Sequence, residues 1–189
     1  MNWLTFAISA FLAWALQLGL RGLLALPDAG GVAPSFLLIL MVFVALHAAP
    51  TTAAWAGLLV GLMVDLLPGP IPIAPAGRPG ASQEIIGPAA VGYLLGAYAV
   101  VQLRGLVFRE SLLTLCVLVF VAGFVVELYV VTLYSIRGFG FIPAEPVHQW
   151  SAFGELGRRL LRAVYSALFA LPLGWLLVKS RRYWAFRKN

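Results

Sequence analysis

The chain has 189 residues, of which 62% are hydrophobic and 11% charged, and its mean hydropathy is +0.95. Soluble domains run about 45–50% apolar and about 25% charged. The composition therefore excludes a soluble globular enzyme, a disordered chain and a secreted disulfide scaffold. The net charge of +6 reads as membrane topology rather than nucleic-acid binding, because the charges lie between and after apolar runs.

The apolar runs predict six membrane-spanning helices. The first covers 3–26 and ends at Pro27-Asp28, with Gly30-Gly31 as a turn. No Lys or Arg precedes it and its apolar core is long, so it reads as a retained helix rather than a signal peptide. The second covers 34–48, opened by Pro34, and is short for a full crossing, so it is expected to run thin or tilted. Pro50 starts the third, 50–67, in a tight hairpin through Ala48-Ala49. Five of the 12 prolines fall within 68–82, which must be a loop. The fourth helix covers 84–103, the fifth 110–136 and the sixth 154–178. The expectation is an all-α integral membrane six-helix bundle, one transmembrane domain over 1–189, with a basic tail at 179–189.

Six spans place both termini on one side. Loop charges favour the cytoplasm for that side: Arg104, Arg109, Lys179, Arg181, Arg182, Arg187 and Lys188 would lie there, against only Arg78 and Arg137 as plain loop charges opposite. Tyr183, Trp184 and Phe186 among the tail's basic residues suit an interfacial anchor on anionic lipid.

Small residues recur every four positions in two helices: Ala53, Gly57 and Gly61 in the third, continued by Asp65, and Pro88, Gly92 and Gly96 in the fourth. Such spacing lets helices approach closely. It serves either packing within the bundle or a groove for a partner's helix, with Gly57, Gly61, Gly92 and Gly96 as the groove candidates. Charged residues inside spans seek partners or cavities. Arg21, Asp65, Glu127 and Arg162 all fall in the outer half of the bilayer, Glu127 and Arg162 at similar depth. They predict an internal polar cluster centred on Glu127 with Arg162. Arg158 lies one turn further out on the same face, although Arg158 and Arg159 are also placed to snorkel to headgroups.

No catalytic constellation is visible. His47 and His148 fall on opposite sides in this topology, and the lone Cys116 sits in an apolar run as a packing residue. No phosphate loop, nucleophile elbow or zinc-protease motif occurs. Neither an enzyme nor a cofactor is expected.

Several segments resemble the bacterial rod shape-determining MreD family. Pro34-Ser-Phe-Leu-Leu-Ile-Leu40 resembles its proline-started second span. Gly57-Leu-Leu-Val-Gly-Leu-Met-Val-Asp-Leu-Leu-Pro-Gly69 is similar to its G-x-x-x-G-x-x-x-D-L-x-x-G stretch, with Gly57, Gly61, Asp65 and Gly69 matching. Val91-Gly-Tyr-Leu-Leu-Gly96 resembles its fourth helix, and Pro172 followed by Leu176-Leu177 and a basic tail resembles its ending. The loop after Asp65 is longer than the family's usual connection. The resemblance implies a non-enzymatic scaffold of the cell-wall elongation machinery in the bacterial inner membrane. It would bind an MreC-like single-span protein and act indirectly with MreB, RodA and a penicillin-binding transpeptidase. It also implies a fold similar to the substrate-binding subunits of energy-coupling-factor transporters. The alternative is such a subunit itself, with Asp65, Glu127, Arg162 and Tyr93 lining a pocket for a vitamin-type ligand.

Overall fold

A computed structural model describes residues 1–27, 31–67, 87–106, 111–136, 152–180 and 184. The described residues form six helices: α1 (Trp3–Leu24), α2 (Phe36–His47), α3 (Pro50–Asp65), α4 (Pro88–Leu103), α5 (Leu112–Ile136) and α6 (Ala152–Ser180). The predicted helix centres hold, and the ends move by a few residues. Residues 25 and 26 leave α1, and Gly87, at φ +128°, marks the entry to α4. The stretch 68–86 and the tail residues Arg181, Arg182, Arg187 and Lys188 lie outside the described residues.

Three helical segments are long and apolar enough to cross a membrane: Trp3–Leu24, Leu112–Ile136 and Leu156–Ser180. Large apolar side chains cover their outward faces, among them Leu4, Ile8, Phe11, Leu113, Val117, Phe124, Leu168 and Trp175. Water would not tolerate so continuous an apolar exterior.

α2 is the centre of the molecule. Every residue from Phe36 to Leu46 is buried, so this helix is apolar all round rather than on one stripe. α1, α3, α4, α5 and α6 all pack against it. Around it, α3 pairs with α4, α4 with α5 and α5 with α6, while α1 covers the remaining side and packs mainly on α2. Consecutive partners run antiparallel. Gly57 meets Tyr93 and Ala97 while Gly61 meets Ala89 and Ala90, and Gly92 meets Tyr129 while Gly96 meets Ala122. One end of the bundle therefore gathers Asn2, His47, Arg104 and Trp184; the other gathers Leu24, Asp65, Gly87 and Ala152. We call these the terminal end and the far end.

A buried helix needs its end groups satisfied, because the first N–H and last C=O groups have no partner within the helix. At the start of α2, Ser35 Oγ accepts from Leu38 N at 3.3 Å and Gln17 Oε1 of α1 accepts from Leu37 N at 3.4 Å. Ser166 Oγ of α6 accepts from Ser35 N at 2.8 Å. At the other end, Arg104 donates to the carbonyls of Ala45 and Ala48, a cation where a helix presents its negative pole. Both ends of the central helix are thus held by side chains from other helices.

The second helix is short, as expected, and its shortness has a local cause. α2 is short because it starts below the far end. Val32, Ala33, Pro34 and Ser35 are buried and not helical, so the chain enters the bundle before α2 begins. Non-helical backbone at such depth is tolerated only when protein surrounds it. An antiparallel bridge between Leu26 and Val32 holds the entry.

Candidate functional site

The Gly–Asp stripe of α3 is an internal seam. A Cβ at Gly57 would lie 2.9 Å from the Ala97 Cβ and from the Tyr93 carbonyl oxygen. One at Gly61 would lie 2.5 Å from Ala90 Cα and 2.6 Å from the Ala89 carbonyl oxygen. Backbone cannot move aside as a side-chain tip can, so the start of α4 lies hard against α3 at Gly61. One turn on, Asp65 ends the same line. Its carboxylate accepts from Gly87 N at 3.0 Å, Ala89 N at 3.1 Å and Ala90 N at 3.1 Å. Pro88 supplies no N–H, so the acid takes the remaining orphan donors at the start of α4. No α4 side chain makes a cap bond there; the cap comes from α3. A negative charge at a helix N-terminus adds favourable electrostatics.

Gly92 and Gly96 face the other way, onto α5. A Cβ at Gly96 would lie 2.9 Å from Val126 Cγ2, and one at Gly92 would lie 3.3 Å from Val126 Cγ1. The expectation of an open partner groove at Gly57, Gly61, Gly92 and Gly96 is therefore corrected. All four are buried and face the protein's own helices, which leaves no room for another chain at those faces.

The second polar constellation lies between α5 and α6. Glu127 is 8% exposed. Its Oε2 accepts from Arg159 Nη1 at 2.7 Å, and its Oε1 lies 3.7 Å from Arg162 Nη1. The predicted pairing of Glu127 with Arg162 is present, but only as the longer contact; Arg159 makes the hydrogen bond. A signal for this existed in the sequence. Ala163, Ser166, Ala170 and Gly174 mark a line of small residues at helical spacing, and all four are buried. Extended back one turn, that line reaches Arg159. Gly123 of α5 meets Ala163 one turn below the ion pair, so the two helices are close where the charges meet.

The predicted five-residue cluster is not one cluster. Asp65 belongs to the α3–α4 seam, Arg21 is half-buried in the last turn of α1 outside the Glu127 ion pairs, and Arg158 is exposed on α6. Only Glu127 and Arg162 of the set come together, with Arg159 added.

A third group bridges these two seams. Tyr93 of α4 is buried, and its hydroxyl lies 3.1 Å from Ser35 Oγ. Ser35 N bonds Ser166 Oγ, which in turn donates to the Arg162 carbonyl at 2.8 Å. The network joins α4, the start of α2 and α6 one turn below Arg162. Every buried side-chain nitrogen and oxygen among the described residues has a hydrogen-bond partner. The polar atoms of Asp65, Glu127 and Tyr93, offered above as the lining of a ligand pocket, are each engaged by other groups of the protein, while the Arg162 side chain stays 30% exposed. Among the described residues no group of His, Cys, Asp and Glu is arranged to hold a metal ion.

The tail needs a further correction. Trp184, expected at the membrane surface, is fully buried, its ring 5.4 Å from that of Phe43. Its carbonyl accepts from Asn2 N at 2.9 Å, and its Nε1 donates to Ser180 Oγ at 3.2 Å. It plugs the terminal end beside the last turn of α2. Lys179 remains exposed, over the Trp175 ring at 5.1 Å from the centroid. That pair has the amphipathic character of an interfacial anchor.

No protein family, curated protein or solved structure matches this chain.

Proposed function

We propose that this protein is a non-enzymatic, six-span scaffold of the bacterial inner membrane, of the kind found in the MreD family, with both termini in the cytoplasm. One observation carries the reading. The motif on which the resemblance rests, Gly57, Gly61 and Asp65, acts as a single lock, two glycines giving close approach and the acid capping the facing helix. A motif spent on rigidity suits a scaffold. Asn2 and Trp184 meet at one end, which supports an even number of crossings. The dimensions also suit a bilayer. α2 takes about 18 Å at 1.5 Å per residue, and α1 runs about 10 Å beyond Gln17 toward the far end. Together they come close to the roughly 30 Å hydrocarbon thickness.

In this reading the protein holds an MreC-like single-span partner within the elongation complex and acts on MreB, RodA and a penicillin-binding transpeptidase only indirectly. The partner meets a lipid-facing surface, since the glycine seams are closed. A tagged chain purified from native membranes in mild detergent is expected to bring down an MreC-like protein in stoichiometric amount. Recovery of an ATPase-coupled module or a bound vitamin instead overturns the scaffold in favour of a transporter subunit.

A further inference from the structure

We infer that Trp184 is a latch for α1: it ties the first turn of α1 to α2 and to the end of α6, and so controls whether α1 stays seated on α2. The inference rests on the membrane-spanning part of the reading above and not on its partner.

The first argument is how α1 is held. Among the described residues it packs mainly on α2, whereas every other outer helix also pairs with a neighbour in the ring. Its buried stripe is Phe6, Ala10, Ala13 and Gln17, with one large apolar side chain among the four. Lipid is as apolar as leucine, so burying apolar side chains does not by itself hold one helix against another in a bilayer. Close packing and hydrogen bonds must do so. α1 has no glycine seam of the kind at Gly61: a Cβ at Gly19 or Gly22 would have nothing within 4 Å.

The second argument is where hydrogen bonds fasten it. Asn2 N donates to the Trp184 carbonyl at 2.9 Å. Asn2 is also the cap of α1, since its Oδ1 accepts from Leu4 N at 3.0 Å and its carbonyl from Phe6 N at 3.1 Å. The tail is therefore tied to the residue on which α1 starts. At the other end of the stripe, about 22 Å along, Gln17 Oε1 accepts from Leu37 N at 3.4 Å, long for such a bond.

The third argument is the seat of Trp184 itself. Its fully buried ring stands edge-on to Phe43 of α2. Its Nε1 donates to Ser180 Oγ, which donates to the Leu177 carbonyl at 2.8 Å in the last turn of α6. The indole is thus anchored on α2 and α6, and its backbone carbonyl carries α1. Without the indole that carbonyl loses its fixed place, and the tie to Asn2 goes with it. α2 is apolar from Phe36 to Leu46, so lipid can cover the side that the terminal half of α1 leaves. Seated and released α1 are then two discrete states, with Trp184 setting the balance between them.

The test uses the full chain in phosphatidylethanolamine–phosphatidylglycerol nanodiscs, with Cys116 replaced by alanine and spin labels at Ala7→Cys on α1 and Thr51→Cys on α3, both exposed positions. Pulsed electron–electron resonance reads the distance between them. With Trp184 intact a single short distance is expected. Trp184→Ala should raise the population at longer distance at least about tenfold. Trp184→Leu, which refills part of the seat without the ring N–H, should give a smaller shift in the same direction, and it decides the matter if the alanine variant does not fold. A second label pair, Thr51→Cys with Leu106→Cys, spans the terminal end across α3 and the end of α4 and should not change. Unchanged Ala7–Thr51 distances in the variants, or equal broadening of both pairs, overturn the latch. Failure of the protein with Trp184 intact to enter nanodiscs overturns the membrane reading and the latch with it, whereas unchanged distances in inserted protein overturn the latch alone.

Discussion

The seams α3–α4 and α5–α6 use the same ingredients to different ends. Each brings antiparallel helices together over glycine, and each places one acid near the far end of the contact. In α3–α4 the acid, Asp65, grips backbone: three N–H groups at the start of α4. In α5–α6 the acid, Glu127, grips side chains: Arg159 at 2.7 Å and Arg162 at 3.7 Å. Backbone donors at a helix start are fixed in place, so a slide of α4 by one residue would break the cap. Two arginines one turn apart can exchange a carboxylate between them. The first seam therefore sets register, and the second supplies charge balance with some latitude. The two acids look alike in sequence, and only their partners separate them.

The largest expected effect follows from the contact at Gly61. Gly61→Leu puts a branched side chain where even a Cβ would stand 2.5 Å from Ala90 Cα. Overpacking of a core costs about 1–3 kcal/mol when side chains can yield, and backbone here cannot. The variant should fail to give a monodisperse peak on size exclusion in mild detergent. A well-behaved Gly61→Leu protein would mean that the seam is looser than described.

The isosteric amide swap is the sharper comparison. At Glu127 it removes the charge that faces Arg159, 12% exposed, and Arg162, 30% exposed. Breaking a buried pair from one side costs about 3–5 kcal/mol, and with side chains 11–12% exposed the lower figure, about 3 kcal/mol, is expected for Glu127→Gln. At Asp65 the partners are neutral. Asp65→Asn keeps one acceptor oxygen, turns the other into an NH2 that cannot accept from a backbone N–H, and loses the charge–dipole attraction, about 2 kcal/mol in all. Thermal unfolding in the same detergent should thus rank Glu127→Gln below Asp65→Asn. Equal losses would show that both acids act as caps, or both as ion-pair partners, and would dissolve the distinction between the seams.

Much of this was legible in the sequence, and the limits have physical causes. The six helices follow from apolar run length and from prolines at 34 and 50, while the start of α4 at Pro88, four residues inside the predicted 84–103, was missed. The spacing of Gly57, Gly61 and Asp65 marks one helix face. It does not say whether that face meets this chain or another, since close packing asks for the same residues in both cases. Glu127 stood out as an acid in an apolar run. Its choice of Arg159 over Arg162 depends on how α6 is rotated about its axis, which the line Ala163, Ser166, Ala170 fixes and charge alone does not. The buried entry at Val32–Ser35 was not legible as such. Pro34 and Ser35 mark a helix start, but the depth of that start is set by Gln17 and Ser166, residues far away in the chain. Trp184 was misread because a tryptophan among basic residues suits a membrane surface as well as it suits a plug.

The smallest effect is a control that tests whether glycine matters by position or by mere presence. Gly22 of α1 has no atom within 4 Å of where its Cβ would stand, and the same holds for Gly19. Alanine there meets no neighbour from another helix among the described residues. In a helix, alanine is favoured over glycine by up to about 1 kcal/mol in water. Gly22→Ala should therefore leave melting unchanged or raise it slightly, while Gly61→Ala should lower it, because its methyl carbon falls against backbone. Both variants add one carbon to one helical glycine, so the difference between them isolates the seam from every general effect of glycine on helix stability. If the two variants melt alike, the contact at Gly61 is not what holds α3 to α4, and the cap at Asp65 must carry the register by itself.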